Sequence, residues 1–128
     1  MNKYGQAAIL AVELIQSKLV DTPEAAWEKA TIEIFGAGTS GQGKGCPRST
    51  FLALCETGSV KGIAPGVYTN SKKNKGYAFR ALELLEDELS LLNDSRVLWK
   101  KVLNGNEKKH NSQMDVVLAL WNEGFIVN

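Results

Sequence analysis

Apolar and polar positions alternate along this chain with the period of helices, and the breaks between periodic stretches carry helix stop and start signals. Residues 4–15, "YGQAAILAVELI", are alanine- and leucine-rich and free of proline, which predicts a first helix. A second begins at "DTPEAAWEKATIEIF". Thr22 is placed to cap, Pro23 suits the first helical position, and Glu24 meets the positive end of the helix dipole. Trp27, Ala30 and Ile34 recur on one face, and Gly36 is a natural stop. After a glycine-rich stretch, Pro47 opens a third helix through "STFLALCE", ended by Gly58.

"VKGIAPGVYT" follows, with Pro65-Gly66 as a turn, and reads either as a loop or as a very short hairpin between 60–63 and 67–69. "GYAFRALELLEDEL" predicts a fourth helix with Tyr77, Ala81, Leu84 and Leu85 on one face. Asp94 or Ser95 caps a fifth, "RVLWKKVL", stopped by Gly105. Ser112 and Asp115 form a capping-box pattern ahead of the last, "VVLALWNE", closed by Gly124. The expected fold is mainly α, with about six helices and at most one short β-hairpin.

The two halves share landmarks in the same order. Trp27 and Lys29 answer to Trp99 and Lys101, and "LALCETG" (52–58) answers to "LALWNEG" (118–124). This suggests two tandem three-helix repeats, 3–63 and 72–127, packed face to face within one domain spanning 1–128. The alternative is two unrelated stretches that share common helix grammar.

In that alignment the first copy is longer at "FGAGTSGQGKGCPRST" (35–50), where the second has only "NGNEKK". Gly36, Gly38 and Gly41 spell the dinucleotide-binding G-x-G-x-x-G, and Gly38, Gly43 and Lys44 nearly spell a Walker A loop. The first motif needs a buried strand before it and a helix starting inside it. Here a capped helix precedes it. The second needs Ser or Thr after the lysine to hold magnesium, and Gly45 stands there. A surface insertion accounts for the glycines without a nucleotide.

Composition changes this picture little. At 128 residues, 44% hydrophobic and 23% charged, the chain is of ordinary globular type, and a net charge of +1 gives no global attraction to nucleic acid or membrane. No apolar run is long enough to span a membrane, and the first residues lack a signal-peptide pattern, so the expected location is the cytoplasm. If Cys46 and Cys55 lie on one helix, their nine-residue separation, roughly 13 Å along the axis, is too great for a disulfide. With a single histidine and no C-x-x-C, neither a zinc site nor any other cofactor site is expected.

Charge is unevenly placed. Between Gly36 and Arg80 the cations Lys44, Arg48, Lys61, Lys72, Lys73, Lys75 and Arg80 face one acid, Glu56. "SKKNKGYAFR" is the densest part, and "EKKHNSQ" adds a second basic cluster. Lysines, helix N-termini and small polar side chains suit a phosphate backbone. The candidate contacts are therefore Lys44, Arg48, Ser49, Lys72, Lys73, Lys75, His110, Asn111 and Gln113, in a helix-turn-helix-like arrangement with "PRST" and "NSQMD" facing a groove. The favoured function is a non-enzymatic binding module for an anionic partner, nucleic acid before others. The competing reading is a protein-interaction or structural module, whose basic section meets an acidic protein surface or is simply solvated. A weaker alternative is an enzyme using Cys46 as nucleophile, flanked by Lys44 and Arg48, with His110 as the sole imidazole base.

The blocks "KYGQAAILAVELI", "PEAAWEKA", "KGCPRSTFLALCETGSVKGI", "YTNSKKNKGYA" and "HNSQMDVVLALW" resemble a family of short bacterial proteins known only as a domain of unknown function. The resemblance runs along most of the chain and implies a bacterial cytoplasmic protein. It carries no activity, substrate or catalytic residue.

Overall fold

A computed structural model describes residues 2–127. Six helices follow one another: α1 (Lys3–Gln16), α2 (Pro23–Phe35), α3 (Gly45–Glu56), α4 (Lys72–Asp87), α5 (Ser95–Leu103) and α6 (Gln113–Asn122), with a 3-10 turn at Leu89–Asn93 before α5. Local chemistry sets most of the boundaries. The Thr22 hydroxyl accepts from the Ala25 amide at 3.2 Å, and Pro23 lies in the first turn of α2. Between the two candidates for α5, Asp94 is the cap, its carboxylate accepting from Val97 N at 3.2 Å.

Each helix contributes an apolar face to one contiguous core that includes Ala8, Val12, Trp27, Phe51, Leu85, Leu98, Met114 and Leu120. The packing interleaves the two halves: α1 lies against α2 and α6, α3 against α4 and α6, and α4 also against α5. Alanines at 7, 8, 11, 26, 30, 78 and 81 have no exposed surface and allow close helix approach.

Among the described residues no hairpin forms at 60–69. The loop instead contributes an isolated antiparallel bridge between Val60 and Ile126. Lys61 N donates to Phe125 O and Val127 N to Ser59 O, both at 2.8 Å. These residues follow the corresponding segments "LALCETG" and "LALWNEG", whose glycines take matching left-handed angles (Gly58 φ 74°, Gly124 φ 77°). The first and second three-helix stretches thus end alike and join at those ends.

Three expectations need correction. Helix α3 starts at Gly45, before Pro47, and α4 starts at Lys72, because the Ser71 hydroxyl accepts from Asn74 N at 3.4 Å. Ser112 does not cap α6; it sits in the left-handed region (φ 67°) and its hydroxyl makes no capping bond. The capping acceptor is His110, whose Nε2 receives the Met114 amide at 3.0 Å.

The glycine loop is held from below. Tyr4 donates its hydroxyl to Gly41 O at 2.8 Å, and its ring lies 4.6 Å from that of Phe35. A Cβ on Gly41 would stand 2.7 Å from the Phe35 ring, so this glycine is required by packing. A helix, not the strand that the dinucleotide motif requires, enters the loop.

Candidate functional site

The two basic clusters of the sequence converge on one open cleft of about 710 Å³ between α4 and the segment that leaves α5. Lys72, Lys73, Tyr77 and Arg80 line it from α4, and Glu107 and Lys108 from the opposite side. The α4 residues fall on one face because 72, 73, 76, 77 and 80 follow the helical repeat. None of Lys72, Lys73, Arg80 and Lys108 has an ion-pair partner among the described residues, and Glu107 is the one acid at the rim.

Behind the cleft's lining lies an aromatic cluster, of which Tyr77 alone reaches the cleft itself. Trp99 is almost fully buried, meets Tyr77 edge-on at 5.1 Å and lies 5.1 Å from the His110 ring. Its indole Nε1 donates to the carbonyl of Lys108 at 3.1 Å. Trp99 therefore fixes both walls, through Tyr77 on one and the Lys108 backbone on the other.

The other candidate contacts are distributed elsewhere. Lys75, one helical step away from this face, pairs with Glu56 at 2.6 Å. The same carboxylate accepts from Tyr68 N at 2.8 Å and Thr69 N at 3.3 Å. The Lys75 hydrogen bond, then that from Tyr68, holds the Glu56 pKa below the usual carboxylate value. Lys75 thus anchors the loop leading into α4. Lys44 lies over the Tyr4 ring at 6.0 Å. Arg48 and Ser49, in α3, border a smaller cleft with Glu24 and Ser71. Ser71, next to Lys72 in sequence, lines this smaller cleft, while Lys72 lines the basic one.

Gln113 is fully buried and out of reach of any partner. Its Oε1 accepts from Asn111 N at 2.6 Å, and its Nε2 donates to Asn74 Oδ1 at 3.4 Å, tying the start of α6 to α4. Asn111 belongs to the same turn. His110 is correspondingly structural. With Nε2 accepting, the imidazole is neutral and carries its proton on Nδ1, so it offers no cation to an anion and no free lone pair to Cys46. Cys46 is half-buried, whereas Cys55 is buried, and burial followed by the charge of Glu24 pushes the Cys55 thiol pKa far up. Among the described residues no three His, Cys, Asp or Glu side chains come together as metal ligands.

Burial lowers the His110 pKa, with the Asp115 charge opposing more weakly. The unfolded chain therefore takes up this proton at higher pH than the folded one. The contribution of the cap to stability is full above about pH 6.5 and is lost as pH falls below it. A series of urea unfolding midpoints against pH is expected to decline through this window in the wild type and to be flat in His110→Gln.

Arg80 and Lys108 belonged to the two basic clusters of the sequence but not to the candidate contacts. The signal that would have found Arg80 is its spacing from Lys72, Lys73 and Tyr77 on one helical face.

No helix among the described residues is long and apolar enough to cross a membrane. No solved structure matches the chain at a significant level. Among curated proteins, the RNA-directed RNA polymerase L of Bunyavirus La Crosse (isolate Human/United States/L78/1978) is 28% identical over 132 residues. A further La Crosse polymerase L sequence is 27% identical over 132 residues. These matches take in 99% of this chain but 6% of the polymerase, so the chain spans a small part of those relatives' length. The family model described as "Family of unknown function (DUF6979)" matches residues 1–127, and the chain belongs to that family.

Proposed function

We propose that the protein is a binding module that takes the phosphate backbone of a nucleic acid into the cleft between α4 and the segment after α5. The observation that carries this is the placement of four unpaired cations, Lys72, Lys73, Arg80 and Lys108, around one opening. Two of them occupy the first turn of α4, which contains no acid. Cations at that end oppose the helix dipole and each costs about 0.3–1 kcal/mol at an exposed site. An anion bound there reverses the sign of the interaction, because the helix terminus and the lysines then attract it together. Tyr77 beside the cations offers a ring on which a base can stack.

Fluorescence anisotropy of labelled single-stranded and duplex DNA at low salt tests this. Saturable binding is the expected result. An absence of binding at low salt removes nucleic acid as the partner and turns attention to acidic protein surfaces.

A further inference from the structure

A second cleft, of about 520 Å³, lies between the first two turns of α2 and the loop that ends at α3, and shares no residue with the basic cleft. Trp27 lines it. The side chain is 1% exposed and stacked on Phe51 at 5.2 Å, and its indole N–H has no acceptor among the described residues. Glu24, three residues earlier and so on the same helical face, also lines the cleft, and its Oε1 is buried without a donor. Buried polar groups of native proteins are nearly always satisfied, so two orphans of opposite kind at one opening point to something that enters and satisfies both.

The remaining lining shows which chemistry would do so. Arg48 is exposed at this cleft and makes no ion pair among the described residues. Gln42 is held through its amide nitrogen by Thr31 Oγ1 at 3.4 Å, which leaves its carbonyl oxygen as an acceptor. The Thr22 hydroxyl already receives the Ala25 amide. A simple cation would answer Glu24 but leave the indole N–H unsatisfied and face Arg48. A simple anion would answer Arg48 and Trp27 but face Glu24 and Glu28. A molecule with both charges answers all of them.

We propose that this cleft binds a small zwitterion of the α-amino-acid type, its carboxylate held by Arg48 and the Trp27 indole N–H and its ammonium by Glu24 and the Gln42 carbonyl. The cleft volume is ample for one such molecule.

The test follows the indole N–H resonances of nitrogen-labelled protein, with Trp27 assigned from the spectrum of Trp27→Phe. Free amino acids are added one at a time, each beside its N-acetyl form and its decarboxylated amine. At least one free amino acid is expected to move the Trp27 indole signal saturably. The Trp99 indole, already bonded to Lys108 O, should stay still. Removing either charge from the ligand, or making Arg48→Gln or Glu24→Gln, should weaken binding at least about tenfold. Arg48 is exposed, so its variant gives an answer even if Glu24→Gln disturbs α2. No saturable shift with any amino acid, equal binding of the blocked forms, or binding that survives Arg48→Gln would overturn the proposal.

Discussion

Replacing Lys72, Lys73 and Arg80 with glutamate is expected to weaken nucleic-acid binding at least about 100-fold while leaving the protein as stable as before, or more so. Each phosphate contact by an exposed cation is worth about 1 kcal/mol, and three of them amount to about two decades in affinity before the added repulsion counts. The effect on stability runs the other way. Residues 72 and 73 open α4, and glutamate there meets the positive end of the dipole in place of lysine, a gain of about 0.3–1 kcal/mol at each position. Arg80 is exposed and has no ion-pair partner among the described residues, so its exchange is close to neutral for folding. Thermal unfolding of the variant should therefore show an equal or higher midpoint beside the lost binding. A purely solvated basic face would give the stability change without a binding change, which separates the two readings.

Trp99→Ala should produce the largest loss of stability among substitutions at the cleft. The side chain is 7% exposed, and removing a buried tryptophan costs about 3–5 kcal/mol. That is a large share of the total stability of a domain this size. The loss is also directed. Without the ring, Tyr77 and His110 lose their common neighbour, and the Lys108 carbonyl loses its donor. The segment carrying Glu107 and Lys108 is then free to leave the cleft. Trp99→Phe keeps a ring against Tyr77 but removes the hydrogen bond and part of the buried ring volume, so it should cost about 1–3 kcal/mol, less than the alanine variant. Chemical denaturation of the two variants, with anisotropy on whichever remains folded, measures both effects. If Trp99→Ala cost no more than Trp99→Phe, the tryptophan would not be the support described here.

Much of the fold could be read where a boundary is set by neighbouring residues. Thr22 with Pro23, Asp94 before Val97, and the glycines after α3 and α6 act within a few positions of themselves. The start of α4 was hidden because lysines run against the local preference for a first turn, so "SKKNK" reads as a loop. The end of the loop before α6 was misread for a different reason. The Ser112 pattern is correct locally, but Trp99 and Asn74, distant in sequence, place His110 and Gln113 to satisfy that helix start. A polar residue inside the core, such as Gln113, looks identical to a surface one until its partner is known.

The site was legible as composition but not as geometry. Two basic clusters were visible; that they share a cleft depends on α4 packing against α5. Consecutive lysines also divide by helical angle, so Lys72 and Lys73 line the cleft while Lys75 turns to Glu56. The orphan Trp27 N–H has no sequence signal, because an indole at helical spacing among aliphatics reads as core, and most of this one is.

The salt dependence of binding, measured for the wild type and the Lys72→Glu/Lys73→Glu/Arg80→Glu variant on one single-stranded oligonucleotide, tests the central claim most directly. Four phosphate contacts predict a slope of log affinity against log salt of about −3 for the wild type, hence about a fifty-fold loss between roughly 50 and 200 mM. The variant should keep less than about a third of that slope, with whatever affinity remains. Equal slopes for the two proteins would contradict the account, because the phosphates would then be held somewhere other than the α4 cleft.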